Sequence, residues 1–264
     1  MRLGSALPMR ELPTRLPPGS IVFWRHDREL FTQVLVKSNA ISSANAFWVC
    51  RKNRELTKVP GTKLCDSVLV GLSGGSCSGK TTLAKALLEL SGSATFLAFD
   101  DYYRDLSHMT LLERAAVNYD HPDALDVELF VSHMDDLAEG KSVKVPEYDM
   151  STHTRPGGSY QLEPAPLVIV DGILLMAVKQ CRERLDLKIF VDAPREVRLA
   201  RRLVRDTEER GRDPQSVEEQ FVASVEPMHQ SLVLPSSQYA DLRFDHPFDP
   251  RAAAQAVLAQ IGKA

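Results

Sequence analysis

Eight residues, Gly74-Gly75-Ser76-Cys77-Ser78-Gly79-Lys80-Thr81, follow the spacing G-x-x-x-x-G-K-[ST]. That spacing suits one chemistry, the holding of phosphate. Glycines let the backbone turn tightly and aim its N–H groups at phosphate oxygens. Lys80 is placed to reach the β- and γ-phosphates, and the Thr81 hydroxyl to ligate Mg²⁺, with Thr82 following on the same turn. The motif predicts a bound nucleoside triphosphate. Carboxylates form a second set. Asp100 and Asp171 each close an apolar run, and Asp120 lies in the polar stretch Tyr119–Asp126. A strand-end acid such as Asp171 can hold Mg²⁺ beside a phosphate loop. The plainer alternative, for Asp171 and for Asp100, is an acid capping the next helix. A third set is basic: Arg198, Arg201, Arg202 and Arg205, with Arg210 and Arg212 just beyond. Guanidinium groups suit the bracing of phosphate oxygens.

These residues need elements to position them. The apolar run Val68–Leu72 predicts a buried strand. Leu83, Ala84, Ala86, Leu87 and Leu88 predict a helix after the loop. A helix starting there adds a partial positive charge at its N-terminus. Further strands are expected at Ala94–Phe99, Leu167–Val170, Asp186–Val191 and Ala240–Phe244. Asp126 is expected to cap a helix that buries Phe130, Met134 and Leu137. Pro194 suits the start of another helix, with Val197, Ala200, Leu203 and Val204 inward and the arginines around the other side. Gly211 and Pro214 break that helix, so Arg210 and Arg212 fall on a segment resembling a closing lid. Helices are also expected over Ser216–Leu234 and Pro250–Ile261, and Val145–Tyr160 reads as a loop. Strands alternating with helices predict an α/β fold of the P-loop NTPase type, a parallel sheet flanked by helices.

Bulk properties narrow the setting. With 264 residues, the chain can hold one large α/β domain and a small appendage. No apolar run reaches membrane-spanning length, and four cysteines (Cys50, Cys65, Cys77, Cys181) form no C-x-x-C pair. A reducing cytoplasm with no membrane partner is the expectation. Charge is uneven: Met1–Cys65 carries 11 Lys/Arg against 4 Asp/Glu, while the whole chain is −3. That asymmetry puts a boundary near Pro60–Asp66. Met1–Gly19 reads as a disordered leader, with a weak transit peptide as the alternative. Ser20–Trp24, Phe31–Val36 and Ala46–Cys50 read as strands of a small β-rich unit over 20–65. Trp24 and Trp48 are either its core or, with Arg51, Lys52 and Arg54, a surface for nucleic acid or a protein partner.

From Val68 onward the chain resembles the uridine kinases (uridine–cytidine kinases). The likeness rests on blocks in the family's order: GGSCSGKTT, FDDYYRD, YDHPDALD, VPEYDMSTHTR, VIVDGIL, RRLVRDTEERGRD followed by Gln220, and YAD at Tyr239–Asp241. The resemblance implies ATP as phosphate donor, Mg²⁺, a pyrimidine nucleoside as acceptor, and a homo-oligomer. By position, Asp100 matches the catalytic base, with Tyr103 of the same block on the substrate side. Asp120 matches the acid that holds ribose hydroxyls, with Arg202 helping. Tyr148, His153, Arg212 and Gln220 match residues around the nucleoside, Tyr148 and His153 facing the pyrimidine edge. Arg205 and Arg210 match lid arginines on the phosphates, and Asp249 an ATP contact near the base. Asp171 stands where the family usually has Glu, and Tyr119 where it often has Phe.

Two other readings remain open on sequence alone. One is a different small-molecule P-loop kinase, phosphoribulokinase-like or nicotinamide riboside kinase-like. The other is a nucleotide-gated binding protein acting through its basic N-terminal module. The complete set of Lys80, Asp100 and lid arginines counts against an inactive core.

Overall fold

The computed structural model describes residues 21–26, 29–35 and 67–262. The chain separates into two compact units. In the first, β1 (Ile21–His26) and β2 (Glu29–Leu35) form an antiparallel hairpin. Ala46–Cys50, the leader Met1–Gly19 and the charge boundary lie outside the described residues.

In the second unit, β3 (Val68–Ser73) is buried at all six positions, as a strand covered on both faces must be. It is the centre of a five-stranded sheet in the order β4-β7-β3-β8-β9. The partners are β4 (Ala94–Ala98), β7 (Leu167–Asp171), β8 (Leu187–Asp192) and β9 (Leu242–Asp245). Every pairing is parallel. Val68, Val70 and Leu72 pack with Leu83, Ala84 and Leu87 of α1 (Lys80–Ser91) and Ala253, Ala254 and Val257 of α9 (Pro250–Ile261). On the other face, Leu69 joins Phe130, Met134 and Leu137 of α3 (Val127–Ala138), the helix Asp126 caps by accepting from the Leu129 N–H. The register aligns Asp171 with Leu72 and with Ala98. The phosphate loop, Asp171 and the turn holding Asp100 therefore leave the sheet at one level. Among the described residues no helix is long and apolar enough to cross a membrane.

Five elements differ from the sequence expectation. Val145–Tyr160 is no plain loop, because β5 (Val143–Pro146) and β6 (Ser159–Leu162) pair antiparallel and raise 147–158 as a hairpin tip. The run after Tyr103 contains a short helix, α2 (Leu111–Ala115), closed by a Thr110–Glu113 capping box. A four-residue helix, α4 (Lys179–Arg182), follows β7.

The fourth difference is the orientation of α5 (Arg195–Glu208). Its charged stripe is the buried one: Arg198 is 2 % exposed, Arg202 8 % and Asp206 0 %, whereas Val204 is 55 % exposed. This helix does not lie on the apolar sheet. It covers the phosphate loop, whose carbonyls and hydroxyl take the guanidinium donors.

The fifth is the helix after Pro214, which is not uniform. α6 (Pro214–Gln220), α7 (Glu226–Met228) and α8 (Leu234–Ser236) are separated by π-helical turns at Phe221–Val225 and His229–Val233. Pro227 and Pro235 follow those turns. A proline lacks the N–H and crowds the carbonyl four residues back; the wider turn before each lets the helix pass.

Candidate functional site

Strand β3 ends in the glycine loop. Gly74 (φ 141°) and Gly79 (φ 115°) occupy backbone conformations that other residues rarely adopt. A side chain on Gly74 would meet the Val191 carbonyl. Cys77 also has a positive φ, 61°, a strained conformation of the kind that gathers at ligand sites. Lys80 is buried, and its Nζ donates to the Gly74 and Gly75 carbonyls, 3.0 Å each. The ammonium is thus folded back across the loop. The loop is packed from beneath by Arg198 and His229, which a side chain on Gly75 would strike. Arg198 donates to Glu226 at 2.7 Å. Burial and the Arg198 charge push His229 down to about 4, so its ring is neutral.

Thr81 and Thr82 are exposed on the first turn of α1. The Thr81 hydroxyl donates to Asp171 Oδ2 at 3.3 Å, while Asp171 Oδ1 is buried without a partner. Burial raises the Asp171 pKa to about 6, against the pull of Lys80 and with a push from the Asp100 charge. An orphaned carboxylate oxygen beside a hydroxyl is a donor set for a hard cation such as Mg²⁺. The shorter acid therefore still reaches Thr81. Asp100 lies in a 3-10 turn (Phe99–Tyr102), is exposed, and caps no helix. Its charge is felt at Asp171 on one side and at Asp120 on the other. Asp120 is buried, which raises its pKa, while the Arg202 charge pulls it back.

The far wall is aromatic. Tyr103 sits edge-on to Tyr119, with centroids 5.7 Å apart, and 5.2 Å from Tyr148. Tyr119 stacks on His153 at 4.1 Å. Tyr148 Oη and His153 Nδ1 are 3.2 Å apart. Burial, then the Arg212 and Arg210 charges, lower the His153 pKa and keep its ring neutral. A neutral imidazole presents either a donor or an acceptor, depending on tautomer. Two arginines outside the expected set hold this wall. Arg114 donates to the Thr152 carbonyl at 2.9 Å, and Tyr119 Oη donates to the Arg114 carbonyl at 2.9 Å. Arg155 donates to the Tyr103 carbonyl at 2.8 Å and pairs with Asp126 at 3.3 Å. Nothing local in the sequence distinguishes them from surface arginines.

The arginines converge. Arg202 donates to Ser76 Oγ at 3.0 Å and to Gln220 Oε1 at 3.1 Å, and Arg212 donates to the same Gln220 oxygen at 2.6 Å. Arg202, Arg205, Arg210 and Arg212 all surround Asp206, which sequence reading did not single out. Its place four residues from both Arg202 and Arg210 was the available signal. Asp249 stands apart from this group as the N-cap of α9, accepting from the Arg251 and Ala252 N–H groups at 2.8 and 3.1 Å. The neighbouring Phe248 ring lies against Gly79, and Arg201 donates to the Cys77 and Ser78 carbonyls at 3.3 and 3.4 Å.

Residues 69–249 match the Phosphoribulokinase / Uridine kinase family. A curated uridine kinase of Chloroflexus aurantiacus is 46% identical over 179 residues, which is 67% of this chain and 86% of that protein. One from Brevibacillus brevis is 41% identical over 197 residues, covering 74% of this chain and 92% of its own. Among solved structures, phosphoribulokinase from Rhodobacter spheroides aligns with a TM-score of 0.53 at 15% identity, over 70% of this chain and 74% of that one. At that identity the likeness is one of fold.

Proposed function

Since the chain belongs to the phosphoribulokinase/uridine kinase family, we propose that it phosphorylates the 5′-hydroxyl of uridine and cytidine from ATP, a reaction of pyrimidine salvage. The observation that carries this reading is the position of Asp100. It is an exposed carboxylate electrostatically linked both to the Asp171 corner of the phosphate loop and to Asp120 on the acceptor side.

Phosphoryl transfer asks a protein for in-line positioning and charge stabilisation more than for covalent chemistry. The loop Gly74–Thr82 and Lys80 hold the triphosphate. Thr81 and Asp171 would hold Mg²⁺, which when bound neutralises charge on the phosphate oxygens. Asp120, with Arg202, grips the ribose hydroxyls. Tyr103, Tyr148, His153, Arg212 and Gln220 enclose the nucleoside. Asp100 takes the proton of the 5′-hydroxyl as that oxygen bonds to the γ-phosphorus. The bond to the bridging β–γ oxygen breaks, and ADP leaves. Arg205 and Arg210 brace the phosphoryl oxygens as charge moves across. Asp249 serves the ATP side through the loop it fixes beside Gly79.

The kinase domain over 66–264 works in this account without help from the N-terminal segment, in a cytoplasmic setting and as a homo-oligomer. Measuring ATP consumption with Mg²⁺ against uridine, cytidine, adenosine, ribulose 5-phosphate and nicotinamide riboside tests it. Turnover with the pyrimidine nucleosides is expected. Turnover confined to ribulose 5-phosphate or nicotinamide riboside would overturn the acceptor assignment.

A further inference from the structure

Asp206 is wholly buried on the inner face of α5, an expensive place for a carboxylate. Four guanidinium groups surround it: Arg205 at 2.8 Å, Arg202 at 3.4 Å, Arg212 at 3.5 Å and Arg210 at 3.7 Å. The Asp206 carbonyl also accepts from the Arg212 N–H at 3.0 Å, which turns the chain back after the helix.

Three features set this cluster apart from a static ion-pair knot. Its hydrogen bonding is incomplete, since Asp206 Oδ2 and Arg202 Nε are buried without a hydrogen-bond partner. Three of the four spokes are ion pairs longer than a tight hydrogen bond. One negative charge among four positive ones also leaves the arginines with attraction to spare for another anion.

The spokes divide by destination. In the proposed reaction Arg205 and Arg210 serve the phosphate donor, whereas Arg202 and Arg212 serve the acceptor and already share Gln220, with Arg202 also donating to Ser76 of the phosphate loop. We propose that Asp206 is a positioning residue that couples the two half-sites. It holds donor-side and acceptor-side arginines on one carboxylate, so that occupying one side rearranges the other. When a triphosphate draws Arg205 and Arg210 away, Asp206 is left to Arg202 and Arg212 and sets them for the nucleoside. Coupling of this kind is a difference in affinity, and it is reciprocal.

The proposal rests on the nucleoside kinase reading and is tested separately from it. Uridine affinity is measured by calorimetry with and without a non-hydrolysable ATP analogue and Mg²⁺. In the wild-type protein the analogue is expected to tighten uridine by about fivefold or more. In Asp206→Asn the ratio is expected to fall to about one, because the amide has no charge to redistribute. A wild-type ratio of one, or full coupling in Asp206→Asn, overturns the proposal.

Removing a carboxylate from among arginines can itself unfold a protein. Arg210→Gln is therefore the second variant, since that side chain is 36% exposed. With the analogue saturating, it is expected to lower the coupling ratio toward one. Undiminished coupling there also overturns the idea. If uridine neither binds nor is phosphorylated, it is the kinase reading that fails. If it is phosphorylated and coupling survives the substitutions, only the role of Asp206 fails.

Discussion

Two carboxylates at the carboxyl end of the sheet have opposite surroundings and different expected behaviour. Asp171 is held near 6 by burial, above its ordinary 3.8. A raised carboxylate favours the folded state while protonated. Its stabilisation is full below the unfolded value and is lost as pH rises through about 6. Asp171→Asn should therefore raise the melting temperature of the metal-free protein at pH 7.5 and have little effect at pH 4. With Asp171 holding Mg²⁺ as proposed, the same ionisation would govern metal demand, and the Mg²⁺ needed for half-maximal turnover should climb below pH 6 in the wild type. A flat Mg²⁺ requirement between pH 5 and 8 would remove Asp171 from the metal corner. Asp100 is exposed and free to meet an acceptor hydroxyl. Asp100→Asn should cut kcat by on the order of 10²–10⁴ with nucleoside affinity largely kept, as loss of a general base does. An unchanged kcat would take Asp100 out of that role.

Helix α5 works by presenting charge inward and apolar residues outward. Arg198 is sealed beneath the loop against Glu226, and Val204 faces out. Arg198→Ala should destabilise the fold by about 2–5 kcal/mol, because it empties the space of a large buried side chain and leaves the partly buried Glu226 without its partner. Val204→Lys should change stability by no more than about 0.5 kcal/mol. Denaturant titration of the two variants reads this directly. The reverse ranking would mean that the helix sits the other way round. Nearby, the π-turned helix after Pro214 carries Gln220 just before its first π turn and His229 further on, and so touches both the arginine cluster and the floor of Gly75. Arg114 and Arg155 do similar work for the hairpin tip, tying Thr152 and Tyr103 to one place.

At the scale of the molecule, the sheet, both apolar layers and all of the site residues lie within 67–262. A chain lacking Met1–Cys65 should keep its nucleoside kinase rate, read by the same ATP-consumption assay. A large loss would show that the N-terminal segment takes part in turnover.

The amino-acid sequence by itself determined the phosphate loop, the parallel α/β class and the strand-end acids. In these the meaning is local: glycine spacing, β-branched runs and an acid closing a strand fix geometry within a few residues. Buried faces of α1 and α3 were legible for the same reason, since an apolar stripe against an apolar sheet obeys a 3.6-residue period. Only the tertiary structure decided the rest. The stripe on α5 reads backwards because its neighbour is a polar loop, and periodicity reports amphipathicity without saying which side is inside. Asp206, Arg114 and Arg155 look like ordinary surface charges until distant segments are brought around them. Burial then turns each into the support of several partners.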